Sequence, residues 1–174
     1  MTASATSAVP SGAPSAAIEP VRKTVVVDAP QAVAFDVFTA HLAHWWPMAT
    51  HHIGKADCAD VRMEPRVGGR CYEVGVDGSE CDWGRVLAWE PPKRFVWGWE
   101  LTARWTHDPA QQSQVEVRFT ALDAKRTRVD LEHRGFEVYG ADASLVREAV
   151  GSPGGWSGIL EGYVAAAARA GRAA

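Results

Sequence analysis

The end of the chain sets the strongest constraint on its fold. After Ser152 and Pro153, a cap residue and a first-turn proline, the residues Trp156, Ile159, Leu160, Tyr163, Val164 and Ala167 recur at i, i+3, i+4, i+7, i+8 and i+11. That spacing gathers every apolar side chain on one stripe, so an amphipathic helix from about Pro153 to Arg169 must lay its stripe against another layer. Gly155, Gly158 and Gly162 interrupt it at about 1 kcal/mol each relative to alanine, which implies close packing or a need for space.

Upstream, the periodicity is that of strands. Val21 to Val27 is β-branched and ends at Asp28-Ala29-Pro30, a strand leading into a helix with proline in its first turn. The helix carries Val33, Ala34, Val37, Phe38 and Leu42 on one side and stops before Pro47. Four extended segments follow at about Asp57–Glu64, Arg70–Val76, Cys81–Trp89 and Arg94–Leu101. They are separated by the turn sequences Val67-Gly68-Gly69, Asp77-Gly78-Ser79 and Glu90-Pro91-Pro92. Two more, Gln114–Leu122 and Thr127–His133, meet at Asp123-Ala124-Lys125 as a hairpin. The expected architecture is α+β: a curved antiparallel sheet of about six to seven strands wrapped around the long C-terminal helix, with a cavity between the two.

With 174 residues the chain suits one domain. Residues 1–20 are rich in alanine, serine and proline and are expected to be a disordered tail, leaving 21–171 as the folded domain. A formal charge of −3 argues against nucleic acid or an anionic membrane as partner. The N-terminus lacks the pattern of a signal peptide, and no apolar run is long enough to span a bilayer. Cys58, Cys71 and Cys81 are odd in number and lack metal-type spacing, so a reducing, cytoplasmic setting is expected.

A set of motifs then resembles a known family. Ala29-Pro30 with Val33-Ala34-Phe35, Trp45-Trp46-Pro47 with Thr50-His51, Glu64-Pro65-Arg66-Val67-Gly68-Gly69-Arg70, Glu73, Asp77-Gly78 and Trp83-Gly84-Arg85-Val86 belong to it. So do Glu90-Pro91-Pro92, Thr127 through His133, Gly135-Phe136 and Gly155-Trp156. Together they resemble the START-like (SRPBCC, birch-pollen-allergen-like) superfamily, in the branch of the heat-shock-protein-90 ATPase activator homologues, from about Val21 to Ala168. The resemblance implies a helix-grip fold with a hydrophobic pocket. It leaves the activity open, because the superfamily includes lipid carriers, hormone receptors, aromatic cyclases and oxygenase subunits. A chaperone partner follows poorly from it, since the eukaryotic activators join this domain type to a separate N-terminal client-binding domain. A homodimer is left open.

Eight tryptophans mark the candidate site. Phe95, Trp97 and Trp99 share one strand face and are read either as core or as one wall of a pocket. Of Trp45 and Trp46, one is expected in the core and the other at the pocket mouth. Trp156 faces the sheet from the first turn of the last helix, with Phe136 and Tyr163 adding to the lining. His133 continues the inward face of Thr127, Val129 and Leu131, either as a satisfied core residue or as a polar anchor or acid–base group. Glu73 and Glu64, on neighbouring strands, could pair with His133, Arg70 or Arg85.

His41, His44, His51, His52, Asp57 and Cys58 form a histidine-rich stretch whose spacing imposes no metal site, so none is expected. No phosphate loop, dinucleotide fingerprint or nucleophile motif is present, hence no cofactor is expected. The leading reading is a small-molecule binding protein for a hydrophobic or aromatic ligand. The alternatives are a cyclase- or hydratase-type enzyme using His133 with Glu73, or a chaperone or regulatory interaction module, which should show an apolar patch outside the cavity.

Overall fold

The computed structural model describes residues 18–174. Strand β1 (Val21–Val27) leads through Pro30, the residue before the helix, into α1 (Gln31–Thr39). The Gln31 side chain donates to the Phe119 carbonyl at 2.7 Å and ties that helix to the sheet. A one-turn segment, Leu42–His44, follows, and Trp45 Nε1 donates back to the Val37 carbonyl at 2.9 Å.

Six strands come next: β2 (Cys58–Met63), β3 (Arg70–Gly75), β4 (Glu80–Glu90), β5 (Arg94–Trp99), β6 (Ser113–Ala121) and β7 (Thr127–Arg134). With β1 they form one antiparallel seven-stranded sheet in the order β1-β7-β6-β5-β4-β3-β2. Register shifts at Cys58/Asp60, Cys71/Tyr72 and Val86/Ala88 bend the β2–β5 half, as bulges do. Gly84 sits at φ +150°, where any Cβ would collide with the Gly98 carbonyl oxygen, so the bend requires glycine.

The concave face is apolar because alternate residues of three central strands point the same way. Phe95 and Trp97 on β5, Val115, Val117 and Phe119 on β6, and Val129 and Leu131 on β7 are all buried. Against them lies α3 (Gly158–Ala173), burying Ile159, Leu160, Tyr163, Ala166 and Ala167, the stripe expected from the sequence. Tyr163 donates its hydroxyl to the Ala34 carbonyl at 2.9 Å, and a Cβ on Gly162 would stand 2.6 Å from the Trp45 carbonyl oxygen. The glycine therefore lets α3 approach the end of the first helix. This is the expected α+β helix-grip fold.

Two features depart from the sequence reading. The last helix does not begin as a regular α-helix at Pro153. Ser152 does accept from the Gly155 amide, but Pro153–Ser157 form a wide turn broken at Gly155 (φ −83°, ψ −135°), and α3 starts only at Gly158. The second is α2 (Ala143–Gly151), preceded by a tight helical segment at Phe136–Asp142, which the sequence reading left without an element. Its buried positions, Ala143, Val146 and Val150, are few and sit between Gly140 and Gly151, so the helical period is short. Most of the expected tail lies outside the described residues; within them, Ile18 donates its amide to Glu137 Oε1 (2.8 Å) and Arg147 donates to the Glu19 carbonyl (2.7 Å).

Candidate functional site

A cavity of about 460 Å3 opens where the segment 46–53, strand β4 and the end of β5 meet α2 and the start of α3. Its wall is largely aromatic: Trp46, Trp83, Trp99, Trp105 and Trp156, joined by Leu101, Val150 and Ile159. Volumes of about 300–1,000 Å3 with such walls are typical of small-molecule sites.

The wall is assembled as one aromatic cluster. Trp46 contacts Trp83 (5.0 Å between centroids) and Trp156 (6.1 Å), and Trp99 contacts Trp156 (5.7 Å). Trp105 stands at the rim with its ring partly exposed and its backbone in the left-handed region at φ +57°. A tryptophan there costs of order 1–3 kcal/mol. The Thr102 hydroxyl, accepting from the Arg104 and Thr106 amides (3.2 and 3.3 Å), fixes the turn that imposes it.

Trp46, Trp99 and Trp156 of the expected ligand residues line this cavity. The remaining ones pack elsewhere. Trp45 sits between Phe38 (4.8 Å) and Tyr163 (5.3 Å), so Trp46 is the member of that pair that reaches the cavity. Phe95 packs on Phe35 and Phe38, and Trp97 lies between Trp83 and Trp99. Phe136 stacks near His133 at 4.7 Å. The sheet curves so tightly that its central inward residues fill the interior, and the open space moves to the α2–α3 corner.

His133 is fully buried and completes a polar chain rather than facing the cavity. Trp156 Nε1–H can only donate, and it lies 3.1 Å from His133 Nδ1. Nδ1 therefore accepts, and Nε2–H donates to Ser113 Oγ at 2.8 Å. Ser113 in turn lies 2.9 Å from the Tyr139 hydroxyl. Burial drives the imidazole pKa down to about 3, so the ring is neutral at physiological pH. Both nitrogens are thus engaged within the protein, the arrangement of a satisfied core histidine.

Glu73 is buried too and is equally committed. Its carboxylate accepts from the Ile53 amide (2.9 Å), the Gly54 amide and Trp83 Nε1 (2.8 Å). None of these partners is His133, Arg70 or Arg85, the three considered for it from the sequence. Glu73 instead clamps the segment that closes one side of the cavity. Glu64 bonds Arg66 and the Arg70 amide, while the Arg70 and Arg85 side chains share Asp82. Cys71 is wholly buried, and burial raises its thiol pKa well above the usual range.

The histidine-rich stretch divides between two places. His41 and His44 stack on each other (5.2 Å) in a larger groove of about 900 Å3 between α1 and β2. His51 and His52 line the cavity. His51 lies 2.8 Å from the Thr50 hydroxyl and 2.9 Å from the Gly154 carbonyl oxygen, bridging the segment 46–53 to the turn before α3. Among the described residues, no group of three or more His, Cys, Asp or Glu side chains converges as a metal site. No helix among them is long and apolar enough to cross a membrane.

Sequence reasoning missed His52, Trp105, Val150 and the α2 segment as parts of the site. No sequence signal pointed to them, since the cavity arises from how three non-adjacent loops meet.

A curled antiparallel sheet gripping a C-terminal helix, with an aromatic cavity at the helix's leading end, defines a START-like domain. The family model described as Activator of Hsp90 ATPase homolog 1-like protein matches residues 28–162. The chain belongs to that family.

Solved structures agree. An anthrahydroquino-gama-pyrone synthase, Txn09, is 37% identical with a TM-score of 0.61, covering 86% of this chain and 97% of its own. CalC from Micromonospora echinospora, a self-sacrificing resistance protein, is 31% identical with a TM-score of 0.66, covering 87% and 96%. The Aha1 dimer of Colwellia psychrerythraea shares the fold at 14% identity (TM-score 0.55, 86% and 96%). No curated protein matches the chain.

Proposed function

We propose that this protein binds a small, largely apolar aromatic molecule in the cavity at the α2–α3 corner. The observation that carries this reading is the wall itself, five indoles around about 460 Å3 with only a few polar atoms. Large aromatic side chains fill a core more economically when they interlock, so five of them bordering open space favour a ligand. Burial at roughly 25 cal/mol per Å2 supplies several kcal/mol for a molecule of two or three rings. The larger groove between α1 and β2 supports this less well, because Asp36, Asp60, Arg62 and Glu64 line it.

A second reading, an acid–base enzyme, is favoured by the synthase named among the similar structures. His133 and Glu73 support it less well, since both are hydrogen-bonded within the fold. The remaining imidazoles on the cavity are His51 and His52.

Binding is tested by titrating aromatic compounds while following tryptophan emission, together with native mass spectrometry of the freshly purified protein. Val150→Phe, which fills the cavity from a buried position on α2, should abolish binding while the protein stays folded. Unchanged affinity in that variant would place the ligand elsewhere.

A further inference from the structure

Strand β2 is the outermost strand at one edge of the sheet. The Glu64 amide donates to the Arg70 carbonyl at 2.8 Å, which makes Glu64 and Arg70 a hydrogen-bonded pair. Such pairs recur at every second residue of an antiparallel ladder, so the main-chain groups of Arg62 and Asp60 turn towards β3 and those of Val61 and Met63 turn away. Among the described residues, no main-chain group from outside the sheet bonds these outward groups. An open edge of this kind is a template for one more strand.

That edge borders the groove of about 900 Å3 whose opposite wall is α1. The helix and the turn after it present Ala32, Thr39, Ala40 and Ala43 to the groove, all small, so the space between helix and strand stays open. Phe35 and Trp89 add apolar surface. A strand edge facing a helix across an apolar groove suits an extended peptide, whose main chain joins the sheet while alternate side chains enter the groove.

Charge narrows the choice of peptide. Val61 and Met63 are buried towards the helix, and Asp60, Arg62 and Glu64, which alternate with them, lie on the other face of the strand. This charged row runs negative, positive, negative, and it reads the same in either direction. Opposite charges attract across neighbouring strands and like charges repel, so the matching row is positive, negative, positive.

We propose that β2 and α1 together take up an extended peptide segment as an eighth, antiparallel strand, and that they select one in which basic, apolar, acidic, apolar and basic residues follow in turn. Main-chain bonds at Val61 and Met63 hold the segment, and the charged row chooses it. The groove shares no lining residue with the aromatic cavity, so this surface is independent of the small-molecule reading.

The probe is the end-blocked peptide Lys-Val-Glu-Val-Lys, titrated into the full chain by calorimetry. Its charge inverse Glu-Val-Lys-Val-Glu, the all-basic Lys-Val-Lys-Val-Lys and a form methylated at both valine amides serve for comparison. The probe should bind at least roughly tenfold more tightly than its inverse, because every cross-strand charge pair changes from attractive to repulsive. Methylation should abolish binding, since it removes the donors opposite Val61 and Met63. Arg62→Glu, at an exposed position, should reverse the preference in favour of the all-basic peptide.

In wild-type protein labelled with nitrogen-15, the Val61 and Met63 amide resonances should move downfield with the probe, a readout that needs no variant. Val150→Phe, in the aromatic cavity, should leave peptide affinity unchanged. Equal affinity for the probe and its inverse would overturn the charge selection, and binding that survives methylation would overturn strand addition. Absence of binding at millimolar peptide would overturn the whole proposal. Val61→Pro removes only a donor that faces the groove, a substitution an edge strand tolerates. A wild-type protein that is dimeric by light scattering and monomeric as Val61→Pro would show a second copy on the edge and overturn the peptide reading.

Discussion

The buried His133 should make the protein lose stability in mild acid, in a pH window that the fold itself defines. The folded ring has a pKa of about 3, against an ordinary value of 6.5, because burial disfavours its cation. Protonation would also set Nδ1–H against Trp156 Nε1–H, two donors 3.1 Å apart. The unfolded chain thus binds a proton that the native state does not, between about pH 6.5 and pH 3. Stability from this group is complete above pH 6.5 and falls as pH drops through the window, by about 1.4 kcal/mol per unit, or roughly 2 kcal/mol by pH 5.

The assay is urea unfolding at pH 7, 6, 5 and 4 for wild type and His133→Gln, whose amide does not titrate. Carboxylates shared by both proteins cancel in the difference. Glu116 and Glu132 are examples: burial pushes them up, but hydrogen bonds from arginines outweigh it and hold both below the ordinary range. Wild type should lose stability faster than the variant by about 1.4 kcal/mol per pH unit between pH 6 and 4. Parallel curves, or a His133 ring resonance in wild type that titrates above pH 5, would refute the reasoning.

Other outcomes follow from the packing. Leu160→Ala removes a buried side chain at the helix–sheet interface and should cost roughly 2–5 kcal/mol in unfolding free energy. Gly162→Ala would raise helix propensity by about 1 kcal/mol, yet it sets a methyl 2.6 Å from the Trp45 carbonyl, so the melting temperature should fall rather than rise. Glu73→Leu strands the Ile53 and Gly54 amides and Trp83 Nε1 at about 1–3 kcal/mol each, and hydrogen exchange at those two amides should accelerate far more than exchange in β6 or β7.

The sheet and its gripped helix were legible because their signals are periodic. Alternation in Thr127, Val129, Leu131 and His133 fixes an inward face, and the stripe from Ile159 to Ala167 fixes the helix that covers it. Gly162 was legible as a sign of close approach, though not of what approaches. The site was legible only in kind. Aromatic abundance suggested an indole wall, but whether Trp97 or Trp105 borders open space depends on sheet curvature, set by bulges at Cys71/Tyr72 and Val86/Ala88. No period in the chain encodes those bulges. α2 stayed hidden for a related reason, since three buried residues between two glycines make too short a pattern.

The two polar residues singled out as candidates, His133 and Glu73, are both hydrogen-bonded within the fold. A polar side chain on an inward strand face is surrounded by layers that must satisfy it, because leaving it unpaired in the interior is costly. Ser113 and Trp156 satisfy His133, and the loop amides with Trp83 satisfy Glu73. Their burial is what requires these partners. Two atoms that keep no partner lie instead where regular structure ends: Trp99 Nε1 at the last residue of β5, and His52 Nδ1 beside the segment that Glu73 clamps. The clamp at Glu73 and the chain through His133 then acquire a shared purpose. They hold the segment at Ile53 and the ring of Trp156, both of which border the cavity, in fixed positions.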